Sequence, residues 1–213
     1  MSTDTPSPAH RRTVLLIGAR GTLGSAVRTA LLARGHELVT ASRSGEGVDH
    51  RVDITDPASI AALYDAVGDG VDAVANAAGW VPWAPLAELT PEAVRAGLDG
   101  KVLSQIELVR QGSARLPAHA SFTLITGVLS RDALVTGSVA ALANGAIEAW
   151  VGSAAVELPG RQRVNVVSPT VFEESMGAYG DLFAGFVPVP VAHAAAAYVR
   201  SVEGAITGRV LAV

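Results

Sequence analysis

The stretch GARGTLG, residues 18–24, places Gly18, Gly21 and Gly24 directly after the apolar run TVLLI. Glycines at this spacing permit a tight turn, a close approach of backbone to a ligand and the close seating of a helix. The helix that follows would offer free N–H groups and its positive dipole end to an anion. Between a strand and a helix, that is pyrophosphate-binding chemistry and points to a dinucleotide. The spacing is G-x-x-G-x-x-G rather than the commoner G-x-G-x-x-G. Farther on, VTASRS carries Ser42 and Arg43 where an acidic residue would bind an unphosphorylated ribose. With Arg20 inside the glycine stretch, two guanidinium groups suit the 2′-phosphate of NADP, which arginine can grip in a bidentate way. The alternative is two ordinary surface arginines. Asp53, in VDI, could accept from the adenine amine or serve as a turn aspartate. In NAAG, Asn76 could tie neighbouring strand ends together, and Gly79 would leave room for a ribose.

The elements that must position these residues alternate. Apolar runs at 13–18, 36–42, 50–54, 71–76, around ASFTLITG, at QRVNVVSP and at GRVLAV read as strands. Helices are expected over Thr22–Arg34, after Asp56-Pro57, as one long helix from Thr90-Pro91 to about Gly112, over Thr136–Leu158 and over VAHAAAAYVRSVEG. Strands that are apolar throughout and alternate with helices predict an α/β fold. It has a doubly wound parallel sheet of about seven strands and helices on both faces. Residues 171–190 read as irregular and are expected to cover a substrate.

Composition narrows the rest. The chain has 213 residues, enough for one domain, with a net charge of −4, which gives no basic footprint for nucleic acid. It has no cysteine, which excludes disulfides and thiolate chemistry and fits a cytoplasmic setting. The five histidines show no metal-ligand spacing. No run of eighteen uncharged apolar residues suggests a membrane span. Residues 1–12 read as a disordered tail ahead of one domain over 13–213. Among sixteen basic residues, Lys101 is the only lysine.

GARGTLG, VDI at 52–54, NAAG at 76–79, RVNVVSPTV at 163–171 and AAVEL at 154–158 together resemble the short-chain dehydrogenase/reductase family over Thr13–Val213. The resemblance implies a Rossmann-like fold, a nicotinamide cofactor and a homodimer or homotetramer paired through the family's fourth and fifth helices. Here those are the helix from Thr90 and the helix over 136–158, whose apolar residues Val102, Ile106, Val109, Ile147, Trp150 and Val151 either pair there or merely face the sheet. It also implies cofactor contacts at Thr22, Leu23, Ile54, Ala77, Ala78, Asn144, Pro169 and Val171. The family's catalytic device is a tyrosine, a lysine four residues later and a serine about thirteen residues before the tyrosine. Counting back from AAVEL, those positions hold Ala140, Asn144 and Gly127, and no Tyr or Lys lies between Gly127 and Leu158. Thr170 stands where the family has glycine.

Other residues must then supply the proton of a carbonyl reduction. The candidates are Lys101, Thr126, Ser130 and Tyr179. Lys101 could instead be a plain surface lysine, and Tyr179 an aromatic packed in the cover. Asp99 falls near a family asparagine, and Trp80 and Trp83 follow NAAG. Phe172, Met176, Phe183 and Phe186 suggest an apolar substrate. The reading is an NADP(H)-dependent oxidoreductase of a small carbonyl or alcohol with a non-standard proton donor. Its competitors are a non-redox enzyme on the same scaffold, such as an isomerase, dehydratase or cyclase, and a non-catalytic NADP-binding protein.

Overall fold

The computed structural model of the chain describes residues 11–213. Seven strands form one parallel sheet: β1 (Thr13–Ile17), β2 (Glu37–Ser42), β3 (His50–Arg51), β4 (Ala73–Asn76), β5 (Ser121–Ile125), β6 (Arg163–Ser168) and β7 (Arg209–Ala212). Their order is β3-β2-β1-β4-β5-β6-β7. The chain therefore winds outward from β1 to one edge, returns to β4, and winds to the other. Loops leaving β1 and β4 part in opposite directions, which opens a crevice at their carboxyl ends.

The alternation of side chains along β1 divides the core in two. Val14 and Leu16 join Val27 and Leu31 of α1 (Thr22–Ala33) and Tyr198 and Val202 of α7 (Val191–Glu203). Leu15 and Ile17 face the other way. There they meet Ile60 of α2 (Pro57–Val67), Leu108 of α4 (Ser104–Ser113) and Ile147 of α5 (Ser138–Glu157). Caps set two of the starts. Asp56 accepts from Ala58 N at 2.9 Å, and Thr90 from Ala93 N at 3.2 Å ahead of α3 (Pro91–Gly97). α5 has the length and apolar character of a bilayer span, yet it buries Val139, Ala143, Ile147, Val151 and Ala154 in the core.

Several expectations change. The tail expected over 1–12 lies mostly outside the described residues, and its end is ordered. Arg12 N donates to His36 Nδ1 at 3.3 Å, and its carbonyl accepts from Glu37 N at 2.9 Å. The third strand pairs only through His50 and Arg51, so Asp53 sits in the following turn. The long helix is interrupted: Leu98–Leu103 is a π-helical segment between α3 and α4. Val102, Val109, Ile147 and Val151, expected at a subunit interface, are buried against the sheet. The outward stripe of α5 is Leu142, Gly145, Ala149, Gly152 and Val156, spaced by three and four residues. The cover contains a short helix, α6 (Met176–Tyr179), and is pinched at its base by a bridge between Phe172 and Val189.

Gln105 holds the π segment and the strand ends together. It is fully buried and makes four hydrogen bonds. Nε2 donates to Lys101 O at 3.0 Å and Ile125 O at 2.9 Å, while Oε1 accepts from Ile125 N at 2.8 Å and Asn76 Nδ2 at 3.0 Å. Gln105→Leu would strand several buried polar groups, each worth about 1–3 kcal/mol when unpaired. We expect a loss of about 3 kcal/mol or more in denaturant unfolding. A loss below about 1 kcal/mol would show that water replaces the amide.

Candidate functional site

An open cleft of about 1140 Å³ runs along the carboxyl ends of β1, β2 and β4. Its walls carry Gly18, Arg20 and Gly21 from the first loop, Ser42 and Arg43 from the end of β2, and Asp53 and Ile54 from the turn after β3. Ala77, Ala78 and Gly79 line it after β4. The far wall comes from the π segment and α4, through Asp99, Leu103, Ser104 and Ile106, of which only Asp99 was anticipated.

The first loop is shaped for close contact. Gly18 has φ +79°, and a Cβ there would stand 2.9 Å from the Ala77 carbonyl carbon. At Gly24 a Cβ would come 2.1 Å from Gly18 O, so helix and loop touch backbone to backbone. Gly21 meets only Gly18 O, at 3.6 Å, leaving space over it. α1 has neither a side-chain cap nor an acidic residue in its first turn. Its first amides, from Thr22, Leu23 and Gly24, remain for an anion. A dinucleotide pyrophosphate fits this cradle.

Charge gathers at the end of β2. Arg20 donates to Ser44 Oγ at 3.0 Å and Glu46 at 3.3 Å, both exposed partners. Arg43 has no side-chain hydrogen bond among the described residues. Asp53 accepts from Thr55 Oγ1 at 2.7 Å and Thr55 N at 3.0 Å. Those bonds, reinforced by the charges of Arg43 and Arg51, hold its carboxyl below the usual range. One oxygen is thus used in a turn, and the other is left.

Asn76 is fully buried behind the cleft. It shapes NAAG by donating to Ala78 O at 2.8 Å and accepting from Ala78 N at 3.2 Å. Pro169 and Val171 are buried where β6 ends, beyond the cleft and beside the Gly127 and Asn144 region. Asn144 donates to Gly127 O at 3.1 Å. Ala140, at the expected tyrosine position, is buried and has no proton to exchange.

The four proton-donor candidates separate. Thr126 Oγ1 donates to Glu148 at 2.8 Å, and Ser130 Oγ to Gly127 O at 3.3 Å, so both hydroxyls are engaged within the protein. Tyr179 is exposed on α6, with no side-chain hydrogen bond among the described residues. Lys101 projects from the π segment over Gly79: a Cβ on Gly79 would lie 3.3 Å from Lys101 Cγ. Its ammonium forms no hydrogen bond or ion pair among the described residues. Desolvation lowers its pKa to about 8, partly opposed by attraction to Glu148. Asp99 lies exposed at the rim. Trp80 also lines the cleft, and its backbone N–H donates to Gly100 O at 3.1 Å.

Sequence reasoning missed Glu148. Its carboxylate accepts from Thr126, from Ser168 Oγ at 2.6 Å and from Arg131 at 3.4 Å, joining the ends of β5 and β6 to α5. Arg131 also donates to Ser168 Oγ at 2.9 Å. The signal was available: Glu148 is the only charge between Gly137 and Val156, one turn past Asn144. In the cover, Phe183 and Phe186 meet edge to face at 5.2 Å and pack on the α5 side of the core. Phe172 packs instead on the α1–α7 side, away from the role expected of it.

Known proteins are similar to this chain in sequence and fold. A family model described as enoyl-(acyl carrier protein) reductase matches residues 25–213. L-xylulose reductase of Mesocricetus auratus is 29% identical over 181 residues, 78% of this chain and 74% of that one. The crystal structure of the protein lin1944 from Listeria innocua is 46% identical, covers 95% of this chain and 99% of its own, and superposes with a TM-score of 0.91. A small-chain dehydrogenase in complex with NADPH shares the fold at 23% identity, covering 95% and 96%, with a TM-score of 0.83.

Proposed function

The chain belongs to the short-chain dehydrogenase/reductase family, and on that premise we propose that it is an NADP(H)-dependent reductase of a small carbonyl compound. The family uses nicotinamide cofactors. The observation that carries the NADP(H) reading is the end of β2, where Arg20 and Arg43 meet the cleft and the residue directly after Ser42 is Arg43, not an acid. The matching family model is described as a reductase and the hamster relative is L-xylulose reductase, which supports the direction of the reaction. When bound, the nicotinamide supplies hydride. The chain must orient the carbonyl, exclude water and deliver a proton to the carbonyl oxygen. Phe183 and Phe186 give the cover an apolar inner packing consistent with an apolar substrate.

For the proton, Lys101 is the group best suited among the candidates. Its stem lies over Gly79, its ammonium is unbonded among the described residues, and its pKa of about 8 puts a transferable proton near working pH. As a general acid it acts in the protonated form. The ammonium N–H breaks as the carbonyl oxygen gains its proton, and the neutral amine is recharged from solvent.

Family pairing through α4 and α5 belongs to this reading as well. At Gly145 and Gly152 on the outward stripe of α5, a Cβ would meet nothing within 4 Å. Packing within the chain does not require those glycines, whereas a second copy's helix would.

Three measurements test the reading. NADPH should bind more tightly than NADH, with Arg43→Ala narrowing the gap by about 1–2 kcal/mol, as for a lost charge-assisted hydrogen bond. Equal wild-type affinities would refute the 2′-phosphate assignment. Reduction should slow as pH rises through about 8. In Lys101→Met that break should vanish and turnover fall about 10²–10⁴-fold. A break that persists in the variant would move the proton elsewhere. Sedimentation should show a dimer or tetramer, and Ala149→Arg on the exposed stripe should yield folded monomer. A monomeric wild type at micromolar concentration overturns the pairing.

A further inference from the structure

Residues 43–49 join β2 to β3 as a strap pinned at both ends. At the far end, Asp49 accepts from Thr40 N at 2.8 Å and Thr40 Oγ1 at 2.7 Å, and its own N–H donates to Thr40 Oγ1 at 3.1 Å. At the near end, Arg51 Nε donates to Arg43 O at 3.2 Å. The Arg51 stem also backs the strap, 3.0 Å from where a Cβ on Gly45 would stand. Between the pins lies Glu46, flanked by Gly45 with φ +71° and Gly47 with φ +66°. Both are left-handed conformations that glycine adopts without strain. The Glu46 carboxylate comes back to Arg20 at 3.3 Å, beside the Ser44 hydroxyl at 3.0 Å.

Arg20 therefore already has an anion. A single nitrogen, NH1, donates to both Glu46 and Ser44, and the same side chain lines the cleft. Arg43 lines the cleft as well but has no side-chain hydrogen bond among the described residues. Of the two guanidinium groups at the end of β2, one is open and one is occupied. The pair of Arg20 and Glu46 is exposed, and exposed pairs are weak, so it yields to a stronger anion. A dianionic phosphate is such an anion, and its oxygens match the guanidinium fork. Set beside Arg20 with Glu46 still in place, it would crowd negative oxygens around one cation. A neutral 2′-hydroxyl brings no charge and leaves the pair intact.

We propose that Glu46 is a built-in competitor for the 2′-phosphate, holding Arg20 in the free protein and giving it up only to a phosphorylated cofactor. This rests on the NADP(H) reading. The contact tempers the grip on NADP(H), which opens on Arg43 and is completed when the glycine-flanked strap releases Arg20.

The test titrates three ligands calorimetrically into the intact protein. They are NADPH, NADH and adenosine 2′,5′-bisphosphate, which carries the 2′-phosphate without the nicotinamide half. In Glu46→Gln, which keeps the size and removes the charge, affinity for NADPH and for the bisphosphate should each rise by about fivefold. NADH affinity should stay within about twofold, which also shows that the variant folds. In an Arg20→Met background the same change should raise bisphosphate affinity by less than about twofold, since no guanidinium is left to compete for. Unchanged NADPH affinity in Glu46→Gln overturns the proposal and leaves the cofactor reading standing. Weaker NADPH binding overturns it too, because Glu46 would then be supporting Arg20. So does an equal gain for NADH, or a gain that persists in Arg20→Met, since Glu46 would then act only as diffuse negative charge. If the wild type binds NADPH no more tightly than NADH, the 2′-phosphate reading falls and this proposal falls with it.

Discussion

Everything at the site depends on how the gap between β4 and β5 is bridged. The two strands pair only as far as Ala75 and Thr123, and beyond that point Ile125 has no strand partner on the β4 side. Its N–H and C=O are buried, and leaving them open would cost several kcal/mol. The Gln105 amide takes both, as a neighbouring strand would, and reaches Asn76 across the gap. Asn76 is held from the other face by Tyr198, whose hydroxyl donates to its carbonyl at 2.6 Å. One side-chain network thus locks β4, β5, α4 and α7 at the point where the crevice opens. NAAG can be rigid without being covered because its anchor is buried behind it.

The same amide explains the helix. Gln105 also holds Lys101 O, in the stretch where the helix widens to a π turn. An extra residue in a turn rotates what precedes it by roughly 100° relative to a continuous α-helix. Lys101 lies in that stretch, with its stem over Gly79 and its charge toward Glu148. A π segment beside a ligand cleft is a common place for a functional residue.

Most of the scaffold was legible in the sequence for reasons that are local. Apolar runs, Asp56-Pro57, Thr90-Pro91 and the glycine loop each carry their physics within a few residues. What escaped was set by partners far along the chain. LDGKVL does not reveal a π turn, because six residues cannot separate its period from 3.6. Gln105 and Glu148 read as ordinary polar positions on helices, and only the sheet ends to which they bond make them buried. Which side the apolar residues of the π segment, α4 and α5 cover was left open for a related reason. A helix stripe announces that a side is covered but not by what. Val102, Val109, Ile147 and Val151 cover the sheet, and the outer face of α5 is marked by small uncharged residues rather than large ones.

The chain's use of lysine is the final constraint. Fifteen of its sixteen basic residues are arginine, so its surface needs no ammonium group. Arginine would serve Lys101's place poorly on two counts. A guanidinium stays protonated at any working pH and has no proton to exchange. Its planar fork would also demand more than the narrow space beside Gly79, where the stem already lies within 3.3 Å of a built Cβ. An ammonium on a flexible stem fits, and desolvation brings it toward neutrality while Glu148 keeps it from discharging fully. The α5 helix can then carry Asn144 and Ala140, because the titratable charge is supplied from across the cleft. Placing that charge in the π segment ties it, through Lys101 O and Gln105, to the ends of β4 and β5.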